Sequence, residues 1–154
     1  MQQSFKTLFP EMPDESRVWT YLCNKLLNDE EANLVEDQIK HFTRSWKAHQ
    51  KQLSANGKLL YNRYIVLAVD ESIERISGCS IDSSVHFVKT IENNLEVDFF
   101  NRLNVLVLKN EAPQLISYHD IGAYKGDFVF NPRIESLHEL RENWLVEIKD
   151  APYF

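Results

Sequence analysis

Hydrophobic residues recur at steps of three and four between positions 32 and 46, a spacing that predicts an amphipathic helix. Asn28 can cap this helix, and Glu31 stands where it completes a capping box. We expect the helix to run to about Leu53, because the dipeptide Asn56-Gly57 predicts a turn soon afterwards. Its buried stripe would consist of Ala32, Val35, Ile39, Phe42 and Trp46.

A second helix is predicted where a serine-rich stretch is followed by periodic apolar residues. Ser80 is the expected cap, and Asp82 would lie in the first turn, where a carboxylate suits the helix dipole. The expected buried stripe contains Ile81, Val85, Val88, Ile91 or Glu92, and Leu95.

Runs of β-branched and aromatic residues predict the strands. The first strand is expected at 17–23 and the second at 59–69. Because its second half is apolar on both faces, the second strand should be central and fully buried. Strands at 103–108 and 114–118 are close enough in sequence to form a hairpin. Weaker patterns predict a strand at 128–130, a short helix at 134–141 and a strand or packed tail at 144–148.

The predicted order, β-α-β-α-β-β plus a C-terminal segment, indicates the α/β class, with a mixed α+β arrangement as the alternative. Alternating strands and helices favour parallel strands covered by helices, and the hairpin would add an antiparallel edge. We therefore expect a two- or three-layer α/β sandwich with a mixed sheet. The 154 residues fit a single α/β domain at 16–154, preceded by an N-terminal arm at 1–15 that contains two prolines.

Composition narrows the classes of partner. The chain has 17 basic and 23 acidic residues, a net charge of −6, and no basic block, so neither a nucleic acid nor an anionic membrane is an expected partner. The longest apolar run, 64–69, is far shorter than a membrane span. With no signal-peptide pattern, the protein is expected to be cytoplasmic, where Cys23 and Cys79 would be free thiols.

Polar side chains gather between the end of the second strand and the start of the second helix. A helix N-terminus stabilises anions and can activate a thiol, and sites in open α/β sheets form where strands end. If this connection is compact, its polar residues converge on one ligand-binding site, although serines also cap helices and cysteine is often simply buried. The candidate residues are Asp70, Ser77, Cys79, Ser80, Asp82 and Ser83.

Catalysis by the Cys79 thiol would require a nearby base. His86 is seven residues further on, which is about 10 Å along a helix, so a distant histidine such as His41 or His119 would be needed. His49 continues the stripe of the first helix and is expected to be a core residue remote from Cys79. No ligand set for a metal and no glycine-rich loop occurs, so neither a metal nor a cofactor is expected.

Five stretches together carry a family resemblance: Arg17-Val18-Trp19 with Tyr21, Trp46 with His49, Ala68–Ser72, Ser77–His86, and Asn143–Asp150. They resemble small bacterial proteins often labelled "ABC transporter ATPase", over roughly residues 16–150. Two departures are Gln50, where the family has glycine, and an end, 151–154, that is less basic and aromatic. The resemblance implies one fold unit and no established activity. ATP hydrolysis is not expected, because the chain lacks a glycine-rich loop with lysine.

Three functional hypotheses follow. The first is a binding or interaction module that recognises a small ligand or a protein near the candidate residues. The alternative is an enzyme that uses the Cys79 thiolate, or Asp70 and Asp82 as acid and base. A third is a structural subunit whose apolar surface is covered in an oligomer.

Overall fold

The computed structural model describes residues 5–150, which combine helices with β-sheets and confirm the mixed helix-and-sheet class. The helices are α1 (Asp29–Ser45), α2 (Gly78–Leu95), α3 (Leu137–Asn143) and two short 3₁₀ helices at Tyr118–Tyr124 and Ile148–Asp150. The strands are β1 (Arg17–Leu22), β2 (Lys47–Ala48), β3 (Lys51–Gln52), β4 (Ser54–Leu60), β5 (Tyr64–Asp70), β6 (Asn104–Lys109), β7 (Ala112–Ser117), β8 (Phe128–Phe130) and β9 (Leu145–Glu147).

The strands of the described part of the chain form three sheets. The first has the order β1-β5-β4, the second is the small β2-β3 hairpin, and the third has the order β7-β6-β8-β9. Every strand pair in these sheets is antiparallel, so the expectation of a mixed sheet with parallel pairs is wrong. The β1-α1-β4 connection does keep β1 and β4 in one direction. However, β5 folds back from β4 as a hairpin and takes the position between them.

Strand β5 is buried on both faces, as predicted. One face carries Ile65, Leu67 and Val69, which pack in a core with residues of α1 and α2. The opposite face packs against Leu106 and Phe130 of the third sheet, together with α3 and the N-terminal residues. The layers are therefore helices, first sheet and third sheet. A smaller cluster covers the outer face of the third sheet and contains Val105, Val107, Ile116, Val129 and Ile148.

The N-terminal segment, defined here as residues 5–16, lies against the core, and residues 1–4 of the predicted arm at 1–15 lie outside the described residues. Phe5, Phe9 and Met12 are buried in the core cluster between the first and third sheets. The Arg141 side chain of α3 holds the segment by donating hydrogen bonds to three of its backbone carbonyls and to the Asp14 carboxylate. The guanidinium group lowers the pKa of Asp14 through this hydrogen bond, so both partners are charged.

The second predicted strand, at 59–69, is not one continuous strand. It contains the end of β4, a turn and most of β5, which pair as a hairpin. Its turn lies at Tyr61 and Asn62, which both have positive φ angles of 56° and 53°. A β-turn whose two central residues both have positive φ angles normally has asparagine or glycine at these positions. With tyrosine at the first position, the sequence carried no clear turn signal there. The later strands agree with the prediction, because β6–β7 is a hairpin, and β8, α3 and β9 lie close to their expected positions.

Helix α1 begins at the predicted capping box, in which Asn28 and Glu31 each accept a backbone hydrogen bond from the other. It ends at Ser45 rather than near Leu53, because the chain turns into the β2–β3 hairpin. His49 is exposed at the tip of this hairpin, so its expected place in the core is wrong. Trp46, the residue after the helix, is buried.

Gly57 lies in the middle of β4 and does not form the expected turn with Asn56. A Cβ atom on Gly57 would lie 2.5 Å from the Ile39 Cγ2 of α1 and 3.0 Å from the Leu67 Cδ2. The glycine therefore allows α1 to pack closely on the first sheet. The free edge of β4 is also protected, because the Gly57 and Leu59 amides donate to the side chains of Asn56 and Glu36.

We predict that Gly57→Ala lowers the free energy of unfolding by about 1–3 kcal/mol, because the added methyl group forces Ile39 and α1 away from the sheet. Urea denaturation followed by circular dichroism measures this change. Gly122→Ala is the matched control, since a Cβ atom there meets no heavy atom within 4 Å. Equal stability of the two variants would contradict the close approach.

We predict that Gln50→Gly raises the free energy of unfolding by about 0.5–1 kcal/mol. The exposed Gln50 has a φ of 66°, a conformation that costs about 1–2 kcal/mol for residues with a Cβ atom, and glycine relieves this cost despite its larger chain entropy. Lys51→Gly, one residue further in β3, should destabilise the protein in the same urea experiment. A loss of stability in Gln50→Gly would contradict the turn geometry.

Candidate functional site

Helix α2 starts three residues earlier than predicted. Ser77 is its cap, and the Ser77 Oγ accepts a hydrogen bond from the Ser80 backbone amide at 3.1 Å. The expected cap, Ser80, lies inside the first turn, and Cys79 is part of the helix rather than the residue before it. A serine at either position could cap the helix, but Ser77 has the extended backbone that a cap requires. The folding of the preceding loop decides which serine has this backbone conformation.

Ser80 joins the start of α2 to the β2–β3 hairpin. It is buried, its Oγ donates to the Lys47 carbonyl at 2.8 Å, and its own carbonyl accepts from the Trp46 Nε1 at 2.9 Å. The Ser77 and Ser80 hydroxyl oxygens are 2.6 Å apart. Each such bond contributes about 1 kcal/mol net, and breaking one leaves a buried polar group unsatisfied. The hairpin that carries His49 therefore lies beside the start of α2, contrary to its expected remoteness.

Asp70 closes a turn at the end of β5. Its Oδ1 accepts hydrogen bonds from the Ser72 amide at 3.0 Å and the Ser72 hydroxyl at 2.7 Å. The neighbouring Glu71 accepts from the Ile76 amide at 2.9 Å and lies 4.0 Å from the Arg17 Nε. The loop between β5 and α2 is thus held by its own carboxylates, which gives Asp70 a structural role at this point.

Cys79, Asp82 and Ser83 are exposed on the surface of α2. The Ser83 hydroxyl donates to the Cys79 carbonyl at 3.0 Å, one turn back along the helix. Within residues 5–150, no side chain forms a hydrogen bond or an ion pair with the Cys79 thiol. None of the histidines in this range, His41 and His119 included, forms a hydrogen bond with the Cys79 thiol.

A groove of about 550 Å³ lies between α1 and α2. At its base, the rings of Phe42 and Phe87 stack in parallel, with centroids 4.4 Å apart and an interplanar angle of 5°. Polar side chains of α2 surround this apolar base and include Asp82 and Ser83 of the predicted site. The complete lining consists of Phe42, Asp82, Ser83, His86, Phe87 and Thr90.

Five of the six candidate residues fall into two groups, and the exposed Cys79 belongs to neither. Asp82 and Ser83 line the groove, while Ser77, Ser80 and Asp70 are engaged in the hydrogen bonds that fix α2 and its loop. The prediction missed the four other lining residues. The signal was the spacing 83, 86, 87 and 90, which places these side chains on one helix face, together with a phenylalanine in an otherwise polar surface.

A row of aromatic side chains connects the base of the groove to the start of β1. Phe42 lies 5.0 Å from Trp46, and Trp46 lies 5.8 Å from Trp19, measured between ring centroids. The Arg17 guanidinium lies over Trp19 at 4.9 Å, within the range of a cation–π contact. The groove is therefore backed by a continuous packed layer rather than by a mobile loop.

Further features of the described residues bear on chemistry. No group of three or more His, Cys, Asp or Glu side chains within 5–150 is arranged to hold a metal ion. No helix in this range is long and apolar enough to cross a membrane.

No protein-family model matches the chain, and neither a curated protein nor a solved structure shows significant similarity to it.

We predict that the two thiols differ in reactivity in the folded protein. Cys79 is exposed, whereas Cys23 is fully buried and burial raises the pKa of its thiol. An aromatic disulfide reagent at pH 8 should therefore modify one thiol quickly and the second only after urea is added. Cys79→Ser should abolish the fast phase and Cys23→Ala should retain it. Two fast phases would contradict the burial of Cys23.

Proposed function

We propose that the protein is a binding module and that its ligand occupies the groove between α1 and α2. The observation that carries the proposal is an open groove with a stacked-phenylalanine base and a polar rim, adjacent to the stretch singled out in the sequence. Its volume is in the range of small-molecule sites, which are mostly apolar with a few polar groups that orient the ligand. An exposed groove of this kind also suits one side chain of a protein partner.

The chemistry of the lining favours an apolar or aromatic group next to a positive charge. The base offers phenyl surface, and Asp82 supplies the one carboxylate among the lining residues. The hydroxyls of Ser83 and Thr90 can hydrogen-bond to an ammonium or guanidinium group. The net charge of −6 adds a long-range attraction for cations. An arylalkylamine, or a lysine or arginine side chain beside an aromatic one, fits this arrangement.

We also propose membership of the resembling bacterial family. Support comes from contacts between the stretches that carry the resemblance: Trp46 donates to the Ser80 carbonyl and packs on Trp19, and Arg17 lies near Glu71. The positive φ of Gln50 accounts for a glycine at that position in the family. These contacts would make the shared residues a structural frame for α2 and the groove.

An enzyme based on the Cys79 thiolate is the second candidate. The exposed position of the thiol in the first turn of α2 favours it. Against it, no described side chain forms a hydrogen bond through which it would accept the thiol proton. The other alternative, Asp70 and Asp82 as acid and base, is weakened because Asp70 is hydrogen-bonded to Ser72. A binding role requires neither a base for the thiol nor a free Asp70, and it therefore fits the described residues better than catalysis does.

We predict that 2-phenylethylamine binds the groove with a millimolar dissociation constant and several-fold more tightly than 3-phenylpropionate, which replaces the amine with a carboxylate. Titration followed by ¹H–¹⁵N correlation spectra should shift the amides of residues 82–90 and reach saturation. Asp82→Asn should remove most of the preference for the amine, because it removes the carboxylate of the groove.

Asp37→Asn is the matched control, since Asp37 is an exposed carboxylate of α1 that does not line the groove. This variant should keep the preference for the amine. The absence of saturable shifts on residues 82–90 would contradict the binding proposal. Equal binding of both probes by the unmodified protein would contradict the role of Asp82.

A further inference from the structure

A second site of different character lies on the opposite side of the first sheet, where the Phe5 ring is enclosed by aromatic side chains. Its centroid is 4.9 Å from Trp144, 6.1 Å from Phe130 and 6.5 Å from Tyr61, and all three contacts are edge-to-face. Phe5 is the first residue that the structure describes and is 8% exposed. We call these three surrounding residues the aromatic cage.

The aromatic cage carries two hydrogen-bonding groups that have no partner in the described part of the chain: the Trp144 Nε1 and the Tyr61 hydroxyl. Trp144 is 1% exposed, so water does not reach its N–H. Burial raises the pKa of Tyr61 to about 12, which keeps its hydroxyl protonated and able to donate. The phenyl ring of Phe5 offers neither group a conventional acceptor. Each unsatisfied buried group costs about 1–3 kcal/mol.

The same interface leaves further polar atoms unsatisfied. The Ser16 hydroxyl and the Arg141 Nε are also buried without a partner, and both lie where the N-terminal segment meets α3. Of the five such side-chain atoms in the described residues, four therefore lie along this segment, the fifth being on Arg63. The buried Ser80 side chain, by contrast, is fully engaged in hydrogen bonds. The interface between the N-terminal segment and the rest of the protein therefore leaves several buried polar atoms without hydrogen bonds.

The attachment of the N-terminal segment also allows Phe5 to move. The backbone–backbone hydrogen bonds recorded for residues 5–13 join residues of the segment to one another: Leu8 to Phe5, Met12 to Phe9 and Ser16 to Pro13. Arg141 holds the carbonyls of Leu8, Phe9 and Met12, which all follow Phe5 in the chain. Phe5 can therefore leave the aromatic cage without disrupting a sheet or this anchor.

We propose that the aromatic cage is a binding site for a neutral, planar aromatic molecule with a hydrogen-bond acceptor, such as a carbonyl, at its edge, and that Phe5 is its displaceable occupant. The ring of the ligand would replace the Phe5 phenyl group, and its acceptor would satisfy Trp144 or Tyr61. The ligand is neutral because a buried charge needs a counter-charge, and the nearby Arg141 is already paired with Asp14. This site is independent of the groove.

The test uses acetophenone and α-methylstyrene, which differ only in that a C=CH₂ group replaces the carbonyl. Each is titrated into the full chain while the indole N–H signal of Trp144, assigned with Trp144→Phe, is followed by NMR. Acetophenone should cause a saturable downfield shift of this signal. Phe5→Ala should bind acetophenone at least about tenfold more tightly, because the competing ring is gone. The affinity of that variant for acetophenone should exceed its affinity for α-methylstyrene by about three- to tenfold.

Phe99→Ala is the matched control, because Phe99 is a buried phenylalanine of the other core cluster. A cavity there should take both probes with similar affinity and should leave the acetophenone titration of the Trp144 signal as it is in the unmodified protein. If neither the unmodified protein nor Phe5→Ala shows a saturable shift of the Trp144 signal, the proposed site is wrong. Equal affinity of Phe5→Ala for both probes would overturn the role of the unsatisfied donors. The unmodified chain provides the test should Phe5→Ala fail to fold.

Discussion

Burial of both faces of β5 is the constraint on which the rest of the structure depends. A strand with six consecutive buried residues is stable only between two apolar layers, so the chain must supply one on each side. Helices α1 and α2 supply the first, and the third sheet with the N-terminal segment supplies the second. This arrangement also separates the two proposed sites, because the groove and the aromatic cage lie on opposite sides of the first sheet.

The two sites differ in how their polar groups are satisfied. Near the groove, Ser80 and Trp46 form hydrogen bonds that fix the start of α2, so the groove is built on a rigid frame. In the aromatic cage, Trp144 and Tyr61 have buried donors without acceptors. A frame whose polar groups are all hydrogen-bonded favours a binding surface that stays open. Buried donors without acceptors instead favour replacement of the Phe5 ring, which now covers them, by a group that can accept hydrogen bonds. This difference is the physical basis for proposing an open site in one place and a closed site in the other.

The candidate site could be predicted only in part. The serine-rich stretch located the start of α2, and two of its residues, Asp82 and Ser83, line the groove. The groove itself could not be predicted, because Phe42 of α1 and Phe87 of α2 are 45 positions apart and meet only through helix packing. The same holds for the aromatic cage, because Phe5, which occupies it, and Trp144 come from opposite ends of the chain.

The sequence by itself determined the elements whose causes are local: the capping box of α1, the doubly apolar strand β5 and the β6–β7 hairpin. Tertiary structure alone decided the antiparallel order of the first sheet, because the β4–β5 hairpin requires left-handed backbone at Tyr61 as well as at Asn62, and a tyrosine gives no signal for it. It also decided the role of Gly57, which reads locally as a turn. In the fold, the absence of a side chain at Gly57 leaves room for Ile39 of helix α1, which comes from a distant part of the sequence.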